Sequence, residues 1–467
     1  MAQGERSLKV CHVFAGVEGG RWMFEQLEAL RDRHGCEVVA LLGGAEGPTV
    51  DLCRNAGIRV EVADFRFHGW TGFFTMPWRM LKLAWWMRRE RFDVVQSHVP
   101  SSTFLARPAA WLADVPVRLV MVTGPFAMMA PASRWMEIAT VFMETGVIPS
   151  CELTGELYRA AGVDSKRVLP VLYYGPPEQR FTPEAIRPAN IRAELGLAPE
   201  APLIASAAIF YPRCPDNAFV PVEVRNRFAK GHTDIIEAMH IVLNEFAEAR
   251  LLLIGKGWGA TGGQAEQELR DFVHADGLDD AVLFLGWRSD LPEIYVDIDV
   301  SVQASLNENL GGTVESLLMA RPTVATRVGG MVDAVIDGET GLLANPGDPA
   351  SLADAILRLL RDREAAGRMA QEGRAHMLAR FTLERTVPEL DMLYRGQCAV
   401  NGAFRPWKSA LRLAYASVLL FTVLGRAMLF DFYLHLVMPA RLRQLRVRWR
   451  RVRHIGGRIM RGGRRTA

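Results

Sequence analysis

The chain has 467 residues, more than one ordinary hydrophobic core supports, so we expect two domains. Hydrophobic residues make up 49% of the chain and charged residues 23%, which is typical of globular proteins and excludes a disordered or fibrous chain. The net charge of +3 hides an asymmetry, because residues 432–467 hold 11 arginines and no acidic residue, which leaves 44 basic and 52 acidic residues in the rest.

The first half of the chain alternates short apolar runs with helical patterns. The predicted strands are "LKVCHVFAG", "CEVVALLGG", "GIRVEVA", "FDVVQSH" and "VRLVMVTG". The predicted helices are "RWMFEQLEALRDRHG" and "TFLARPAAWLAD". Apolar runs of roughly four to seven residues between helices indicate a parallel sheet covered on both faces.

A second series of the same kind follows a proline-rich joint, "YYGPPEQRFTPEAIRP". Its predicted strands are "PLIASAAIF", "ARLLLIGKG", "AVLFLGW", "VSVQAS" and "PTVATRVGG". Its predicted helices are "HTDIIEAMHIVLNEF", "AEQELRDFVHADG", "LPEIYVDID" and "SLADAILRLLRDREAAG". We therefore expect α/β domains over residues 1–185 and 186–385, a return helix or linker over 386–402 and a tail over 403–467. Two doubly wound domains joined by a hinge present the carboxyl ends of their strands to one cleft, where ligands bind.

Cysteine usage argues against a disulfide scaffold. The six cysteines are scattered and form no CxxC pair, which indicates neither a disulfide framework nor a zinc site. We expect reduced thiols in a cytosolic protein. The start, "MAQGERSLKVCHVF", is polar and its apolar run is too short for a signal peptide.

The stretch "SLNENLGGTVESLLMARPTVAT", residues 305–326, places Glu308 and Glu315 around a double glycine where a helix should begin. A helix N-terminus offers unpaired N–H groups and the positive end of the helix dipole, which suit a diphosphate. Gly311 and Gly312 allow close approach of the backbone, and Thr313 can cap the helix. A carboxylate there can accept from both ribose hydroxyls. The stretch thus indicates a sugar-nucleotide site, the alternative being that Glu315 only favours the start of the helix.

A longer segment, "ENLGGTVESLLMARPTVATRVGG", resembles the donor-site signature of the retaining glycosyltransferases of family 4, which have the GT-B fold. "DGETGLLANPGDP" is similar to the usual continuation of that signature. The resemblance is specific over residues 230–380, looser over 8–180 and absent after about residue 400. It implies two Rossmann-like domains, a UDP- or GDP-sugar as the donor substrate, no cofactor and no metal ion.

The resemblance also implies roles for the acidic residues of the stretch. Glu315 takes the position that binds ribose. The first acidic residue of the signature contacts the transferred sugar, but the spacing here is one residue shorter than in the family. Either Glu308 or Asn307 therefore fills that place. The loop between them and the helix adds further donor-binding positions, which are Leu310, Gly311, Gly312 and Thr313.

Phosphate oxygens require cations, and Lys230 in "RNRFAKGHTDIIEAM" resembles the lysine with which the family grips the donor diphosphate. The family's partner arginine follows the preceding strand, but here the insertion "FYPRCPDNAFVPVEVRNR" intervenes. Arg213, Arg225 and Arg227 therefore compete for that role, in which a guanidinium would stabilise the leaving diphosphate. The alternative for each is a solvated surface charge.

Smaller loops resemble the rest of a family donor pocket. "IGKGWG" resembles a Gly-x-Gly loop near the nucleotide, "GWRSD" lies where the family holds the base, and "GVEGG" lies where it faces the donor phosphates and acceptor. As plain turns these loops would have no such role. The positions concerned are Gly255 and Gly257, then Trp287 and Arg288, then Gly16, Gly19 and Gly20.

The resemblance implies a reaction on one face of the sugar, in which the leaving phosphate helps to deprotonate the acceptor. Many members carry a histidine in a loop of the N-terminal domain where this chain reads "MVTGPF". His98, at the end of "VVQSH", is the nearest candidate for that catalytic role. The alternative is a structural histidine.

Two segments have a composition that suits membranes. Residues 67–92 interleave aromatic residues with lysine and arginine, as interfacial helices do, although a domain helix with aromatics in its core is the alternative. Residues 413–438 are apolar but interrupted by charges, which favours a helix in the interface over one that spans. The arginine-rich end should attract anionic lipid of the inner leaflet on the cytoplasmic side of the plasma membrane. No segment resembles a nucleic-acid reading module.

These observations predict a glycosyltransferase that transfers a sugar from a soluble nucleotide sugar to a membrane-associated, lipid-linked acceptor in bacterial polysaccharide assembly. The shortened spacing and the missing histidine motivate an alternative, a catalytically weak GT-B subunit that supports a partner. A third hypothesis, an epimerase acting on the nucleotide sugar itself, gives no reason for the tail.

Overall fold

The structure, a computed structural model, describes residues 6–66 and 69–402 of the chain. The predictions made for the tail, residues 403–467, lie outside the described residues. Two parallel sheets of six strands each form the centres of two α/β domains.

The N-terminal sheet has the strand order β3-β2-β1-β4-β5-β6, with every neighbouring pair parallel. Its strands are β1 (Lys9–Phe14), β2 (Glu37–Leu42), β3 (Arg59–Val62), β4 (Val94–His98), β5 (Val117–Val122) and β6 (Gly146–Pro149). The helices of this part are α1 (Arg21–His34), α2 (Pro48–Asn55), α3 (Gly69–Glu90), α4 (Val99–Leu112), α5 (Phe126–Met129), α6 (Pro131–Thr140) and α7 (Glu152–Ala160).

The C-terminal sheet has the order β12-β11-β10-β7-β8-β9 and is also parallel throughout. Its strands are β7 (Leu203–Ala207), β8 (Arg250–Ile254), β9 (Val282–Gly286), β10 (Val300–Gln303), β11 (Thr323–Thr326) and β12 (Leu342–Ala344). The helices are α8 (Ile191–Glu194), α9 (His232–Leu243), α10 (Gly262–Ala275), α11 (Leu291–Asp297), α12 (Thr313–Leu318), α13 (Met331–Ala334), α14 (Pro349–Arg361), α15 (Arg363–Arg380) and α16 (Leu383–Asn401).

The prediction of two doubly wound α/β domains is confirmed. In both sheets the strand order reverses direction beside the first strand of the domain, and helices cover the two faces, so the strands are buried as the continuous apolar runs indicated. The short strands β6 and β12 were not predicted. β6 has only four residues and β12 only three, which is too short for a clear periodic signal.

The single helix predicted over residues 351–367 is wrong, because two helices, α14 and α15, occupy that region. Asp362 separates them with an extended backbone, φ −120° and ψ 80°, and its carboxylate accepts from the N–H of Ala365. An aspartate that caps a new helix in this way ends the preceding one.

Two crossings tie the domains together. Helix α16 returns to the N-terminal domain, where Leu390 and Tyr394 are buried in the same cluster as Leu27 of α1. The second crossing is residues 208–228, the β7–α9 insertion, in which the carbonyl of Ala218 accepts from the N–H of Ala132 at 2.9 Å. Phe219 of the insertion packs against the N-terminal core. These contacts hold the carboxyl ends of the two sheets against one cleft.

Helix α3 has features of both interpretations of the aromatic segment, the core helix and the interfacial helix, because its residues lie on different faces. Met76, Met80 and Met87 are buried, and Trp86 packs against the same core. Trp78 and Trp85 are 73% and 62% exposed, respectively. The described part of the segment is therefore both a core helix and a helix that presents aromatic side chains to solvent.

Candidate active site

A cavity of about 330 Å³ lies in the cleft between the domains. Its walls come from four segments that are far apart in sequence. They are the start of α1, the segment after β5, the linker after α7 and the loop before α12. The lining residues used below are Arg21, Trp22, Glu25, Tyr174, Arg180, Glu308, Gly311 and Glu315. The predicted acidic stretch thus meets the N-terminal domain at this cavity.

The loop before α12 has the close backbone approach that its glycines predict. Gly311 has a φ of 54°, in the left-handed region that favours glycine, and it lines the cavity. A Cβ on Gly329, in the following Gly-Gly turn, would lie 1.7 Å from the carbonyl oxygen of Glu308. The turn after β11 therefore fixes the loop that carries Glu308.

The prediction that Thr313 caps α12 is wrong. Gly312 is the N-cap residue, and Thr313 is the first residue of the helix. The Thr313 hydroxyl is buried with no hydrogen-bond partner among the described residues, so it is directed inward rather than across the helix end. The capping position favours glycine, because the Cβ of any other residue there would lie 2.8 Å from Nε2 of Gln303.

Lys230 and Glu308 form an ion pair at the edge of the cavity. Burial alone would lower the pKa of Lys230, but the charge of Glu308 and the hydrogen bond to it outweigh burial and leave that pKa raised. Glu308 also accepts from the hydroxyl of Ser305 at 3.3 Å and from the N–H of Asn309 at 3.1 Å. The two side chains predicted to contact the sugar and the diphosphate are therefore paired with each other in this structure.

Of the two candidates for the sugar contact, the cavity is lined by Glu308 and not by Asn307. Asn307 is 9% exposed, and its Nδ2 lies 3.2 Å from Sδ of Met129 in α5. The shorter loop therefore brings Glu308 to the cavity and turns Asn307 toward the N-terminal domain.

Glu315 lines the cavity as the first-turn acidic residue of α12. Burial raises the pKa of Glu315, while the nearby guanidinium of Arg180 acts in the opposite direction. Glu25 of α1 faces the same region, and its carboxylate accepts from Nη1 of Arg180 at 2.7 Å. Nη1 of Arg21 lies 3.7 Å from the same oxygen of Glu25.

The three arginines predicted to serve the diphosphate do not line the cavity. The β7–α9 insertion contacts the N-terminal domain through Ala218 and Phe219. Its guanidinium groups nevertheless meet acceptors within the insertion and on α9 and α10 of the C-terminal domain. Arg227 pairs with Asp234 at 2.8 Å, Arg225 donates to the carbonyl of Val220 at 3.1 Å, and Arg213 pairs with Glu268. The structure therefore does not bring Arg225 or Arg227 to this cavity, and their predicted contact with the diphosphate stays a prediction.

Sequence reasoning instead missed Arg21, Arg180, Glu25, Trp22 and Tyr174. Arg180 follows the proline-rich joint, and Arg21 directly follows the predicted "GVEGG" loop. The position of Arg21 at the first residue of α1 was a usable signal, since a basic residue is unfavourable beside the positive end of a helix dipole. No local pattern marks Arg180, because its partner Glu25 is 155 residues away in sequence.

The predicted glycine loops lie around the cavity rather than in its lining. Gly19 has a φ of 69°, and a Cβ on it would lie 3.1 Å from the ring of Trp258, so this N-terminal loop meets the "IGKGWG" loop across the cleft. Gly20 is the N-cap of α1, and Gly16 lines a neighbouring cavity of the N-terminal domain. A Cβ on Gly255 or Gly257 would meet a backbone carbonyl at 2.0 Å, which explains both glycines by close packing.

The predicted base-binding residues have mixed surroundings. The indole of Trp287 is 64% exposed, with the ammonium of Lys256 5.4 Å from its ring centre. Arg288 is held by Glu194 at 2.6 Å and Asp290 at 2.7 Å, and their hydrogen bonds raise its pKa further. Trp287 thus presents an exposed indole next to Lys256 of the "IGKGWG" loop, whereas the Arg288 side chain is committed to two carboxylates.

His98 is fully buried behind the cavity wall. Its Nδ1 lies 3.1 Å from the hydroxyl of Tyr174 and its Nε2 lies 3.2 Å from Nδ1 of His12. Burial lowers the pKa of His98 well below its ordinary value, so its imidazole is neutral. The rings of Trp22 and Tyr174 separate His98 from the cavity, and direct contact with a substrate there requires these rings to move.

Residues 6–66 and 69–402 hold neither a metal-binding cluster nor a membrane-spanning helix. No group of three histidine, cysteine or acidic side chains there lies close enough together to hold a metal ion. No helix in that part of the chain combines the length and apolar character needed to cross a membrane.

Comparison with known proteins follows the same division into two domains. A family model described as glycosyl transferase 4-like domain matches residues 18–173, and one described as glycosyl transferases group 1 matches residues 223–362. Together the two matches cover more than half of the chain. The chain belongs to the group 1 glycosyltransferases and has the GT-B fold.

Curated relatives agree with that class. The lipopolysaccharide core biosynthesis glycosyltransferase LpsE of Rhizobium meliloti is 26% identical over 386 residues, which cover 81% of this chain and 96% of LpsE. A D-inositol 3-phosphate glycosyltransferase of Corynebacterium urealyticum is 31% identical over 241 residues, covering 50% of this chain and 53% of that protein. The chain is accordingly a glycosyltransferase.

Solved structures support the fold. Anabaena HepE, in a complex with UDP and glucose, superposes with a TM-score of 0.68 at 19% identity, covering 83% of this chain and 99% of HepE. The lipopolysaccharide outer core galactosyltransferase WaaB in its apo form gives a TM-score of 0.60 at 11% identity, covering 84% of this chain and all of WaaB. At these identities the likeness extends to the GT-B architecture alone.

Proposed function

We propose that the protein is a retaining, metal-independent glycosyltransferase that moves a sugar from a nucleoside-diphosphate sugar to a membrane-associated, lipid-linked acceptor in bacterial polysaccharide or glycan biosynthesis. The observation that carries the proposal is that Glu308 and Glu315 line the interdomain cavity and that Lys230 forms an ion pair with Glu308. LpsE is named for lipopolysaccharide core biosynthesis, and HepE was solved with UDP and glucose, which supports the choice of pathway and donor class.

The proposed reaction uses these residues in distinct ways. Glu315 accepts from the ribose hydroxyls, Glu308 accepts from hydroxyls of the transferred sugar, and the Lys230 ammonium binds the diphosphate. The bond from the anomeric carbon to the phosphate oxygen breaks and its electron pair stays on the diphosphate. The acceptor oxygen bonds to the same face of the sugar, and its proton passes to the leaving phosphate.

The acceptor is proposed to approach through the N-terminal domain. A cavity of about 440 Å³ reaches from Gly16 to Asp64, and a neighbouring one of about 340 Å³ continues from Asp64 to Trp85. Arg66 and Arg79 hold Asp64 ionised by lowering its pKa to about 2, so its carboxylate accepts hydrogen bonds. Indole faces and an ionised carboxylate suit a saccharide that enters from the α3 side.

A transfer assay tests the proposal directly. Purified protein is incubated with radiolabelled UDP- and GDP-sugars and with lipid extracts from bacterial membranes, and products are separated by lipid extraction. Transfer of label to lipid, with no requirement for added divalent metal and with an anomeric configuration that matches the donor, is the expected result. Binding of nucleotide sugar without turnover would favour the weak subunit that supports a partner, a reading motivated by the shortened loop.

Membrane association is proposed to involve α3 as well as the tail. Among residues 75–90 of α3, the exposed residues follow one face of the helix and include no acidic side chain; they are Thr75, Trp78, Lys82, Trp85 and Arg89. The guanidinium of Arg89 lies 5.6 Å from the Trp85 ring centre. Exposed tryptophans beside cations suit the interface of a bilayer that contains anionic lipid, and on this basis we propose that the protein lies at the cytoplasmic side of the plasma membrane.

Replacing Trp78 and Trp85 by alanine is expected to weaken vesicle binding by about tenfold for each residue, since each change removes buried apolar area at the interface. Co-sedimentation with phosphatidylglycerol vesicles measures the effect, and phosphatidylcholine vesicles should bind less protein. Trp135→Ala is the control, because Trp135 is 39% exposed on α6. Deleting residues 403–467 separates the contribution of the tail, and undiminished binding of W78A/W85A in that truncated chain would contradict the role of α3.

A further inference from the structure

We propose that Arg21 and Arg180 form a clamp that holds the donor diphosphate from the N-terminal side of the cavity, in place of an arginine from the β7–α9 insertion. The inference rests on the proposed function, because it takes Glu308 and Glu315 as the residues that bind the two ends of the donor. It assigns to this chain two phosphate-binding residues that lie outside the recognised motifs.

The position of the diphosphate follows from the two carboxylates. Glu308 contacts the sugar and Glu315 the ribose, and both line the same cavity with Gly311 between them. The diphosphate joins sugar to ribose, so it must cross this part of the cavity. Arg21 of α1 and Arg180 of the linker line the same cavity, and both bring charge close enough to affect Glu315.

Both arginines have donors left for a ligand. Nη1 of Arg180 donates to Glu25, and this guanidinium makes no other hydrogen bond to the described residues. A guanidinium has five N–H donors, so Arg180 can keep Glu25 and still bind phosphate oxygens with Nε and Nη2. The side chains of Arg180 and Arg21 are 39% and 53% exposed, respectively, so ligand reaches them without displacing the core.

The balance of acidic and basic side chains around the cavity explains why a diphosphate needs the two arginines. Without the two arginines, the cavity wall would set Glu25, Glu308 and Glu315 against Lys230 alone, which would repel a diphosphate. With them, three cations face three carboxylates. When a diphosphate enters and Lys230 turns from Glu308 to it, the arginines supply the remaining attraction.

The clamp acts on the leaving group. As the bond between the anomeric carbon and the phosphate oxygen breaks, the electron pair moves onto the diphosphate, whose negative charge grows. Guanidinium groups aimed at that oxygen stabilise the transition state more than the ground state, which raises kcat as well as affinity. Because Arg21 lies on α1 and Arg180 on the interdomain linker, a bound diphosphate also joins the N-terminal domain to the loop before α12.

Calorimetric titration of the full-length protein with UDP, GDP and inorganic pyrophosphate tests the clamp. We expect Arg21→Ala and Arg180→Ala each to weaken diphosphate binding by about tenfold to a hundredfold, the range for a hydrogen bond to a charged group, while uridine or guanosine binding stays within twofold of wild type. Arg368→Ala is the matched control, because its guanidinium pairs with an exposed glutamate, Glu364 of α15, outside the cavity.

A second variant separates ligand binding from folding, because Arg180→Ala leaves Glu25 buried without its partner. If Arg180 serves only to neutralise Glu25, the double variant Glu25→Gln/Arg180→Ala should recover wild-type affinity for UDP or GDP. The clamp requires that the double variant stay weak and that Glu25→Gln alone bind diphosphate at least as well as wild type. Recovery in the double variant, or unchanged affinity in both single variants, overturns the clamp. A wild-type protein that binds neither UDP nor GDP overturns the proposed function instead.

Discussion

Glu315→Ala is expected to reduce sugar transfer by at least about a hundredfold, because two charge-assisted hydrogen bonds to ribose are lost, each worth roughly 1.5–3 kcal/mol. The loss should appear in the affinity for the donor and for its nucleoside diphosphate alike, since ribose belongs to both. Steady-state transfer and calorimetric titration measure the two effects. Glu248→Ala, at a side chain 73% exposed on the same domain, is the control.

The pH dependence gives a second readout of Glu315. Burial raises the pKa of this carboxyl, so on acidification it takes up a proton at a higher pH than an ordinary glutamate does. Protonation removes an acceptor, and donor affinity should therefore fall as the pH decreases through that raised pKa. Glu315→Gln should lose this dependence, and a variant that keeps it would show that another group controls the acid limb.

We expect Glu315→Gln to change donor affinity without destabilising the folded protein. A carboxyl whose pKa is raised in the folded protein favours folding in its protonated form, and this contribution is lost as the pH rises through the folded value. At neutral pH Glu315→Gln is therefore expected to melt no lower than wild type. A large fall in its melting temperature would mean that Glu315 supports the structure rather than the ligand.

Lys230→Ala is expected to weaken donor binding by roughly 1.5–3 kcal/mol, which is about tenfold to a hundredfold, because a charged contact to the diphosphate disappears. Titration with UDP and GDP measures the change. Unchanged affinity would remove Lys230 from the site. Because Lys230→Ala also leaves Glu308 without its cation, the double variant Lys230→Ala/Glu308→Gln is needed to show that the loss is not a consequence of that unpaired carboxylate.

The ion pair also predicts an effect of opposite sign. In the ligand-free protein Glu308 competes with the diphosphate for Lys230, so Glu308→Gln should bind UDP or GDP more tightly than wild type. The same change removes the carboxylate that accepts from the sugar, so transfer should fall. Tighter nucleotide binding with slower transfer would distinguish competition at Lys230 from general damage to the cavity, whereas weaker binding would contradict it.

Local sequence determined the domains and the acidic stretch. Short apolar runs between amphipathic helices can be buried only as a parallel sheet covered on both faces, and both sheets follow that pattern. The order of Glu308, the glycines and Glu315 lies within one loop and the start of one helix, so the sequence itself brings these residues together. Lys230, at the turn before α9, joins them because its strand β7 is the neighbour of β10.

Tertiary structure alone decided which arginines face the cavity. Arg225 and Arg227 were nearest to Lys230 in sequence, but the β7–α9 insertion crosses to the N-terminal domain and gives them other acceptors. Arg21 and Arg180 reach the cavity from α1 and the linker, through contacts between residues far apart in the chain. A charged side chain pairs with whichever opposite charge the fold brings close to it. The spacing of residues along the chain does not predict the distance between two such groups in the folded protein.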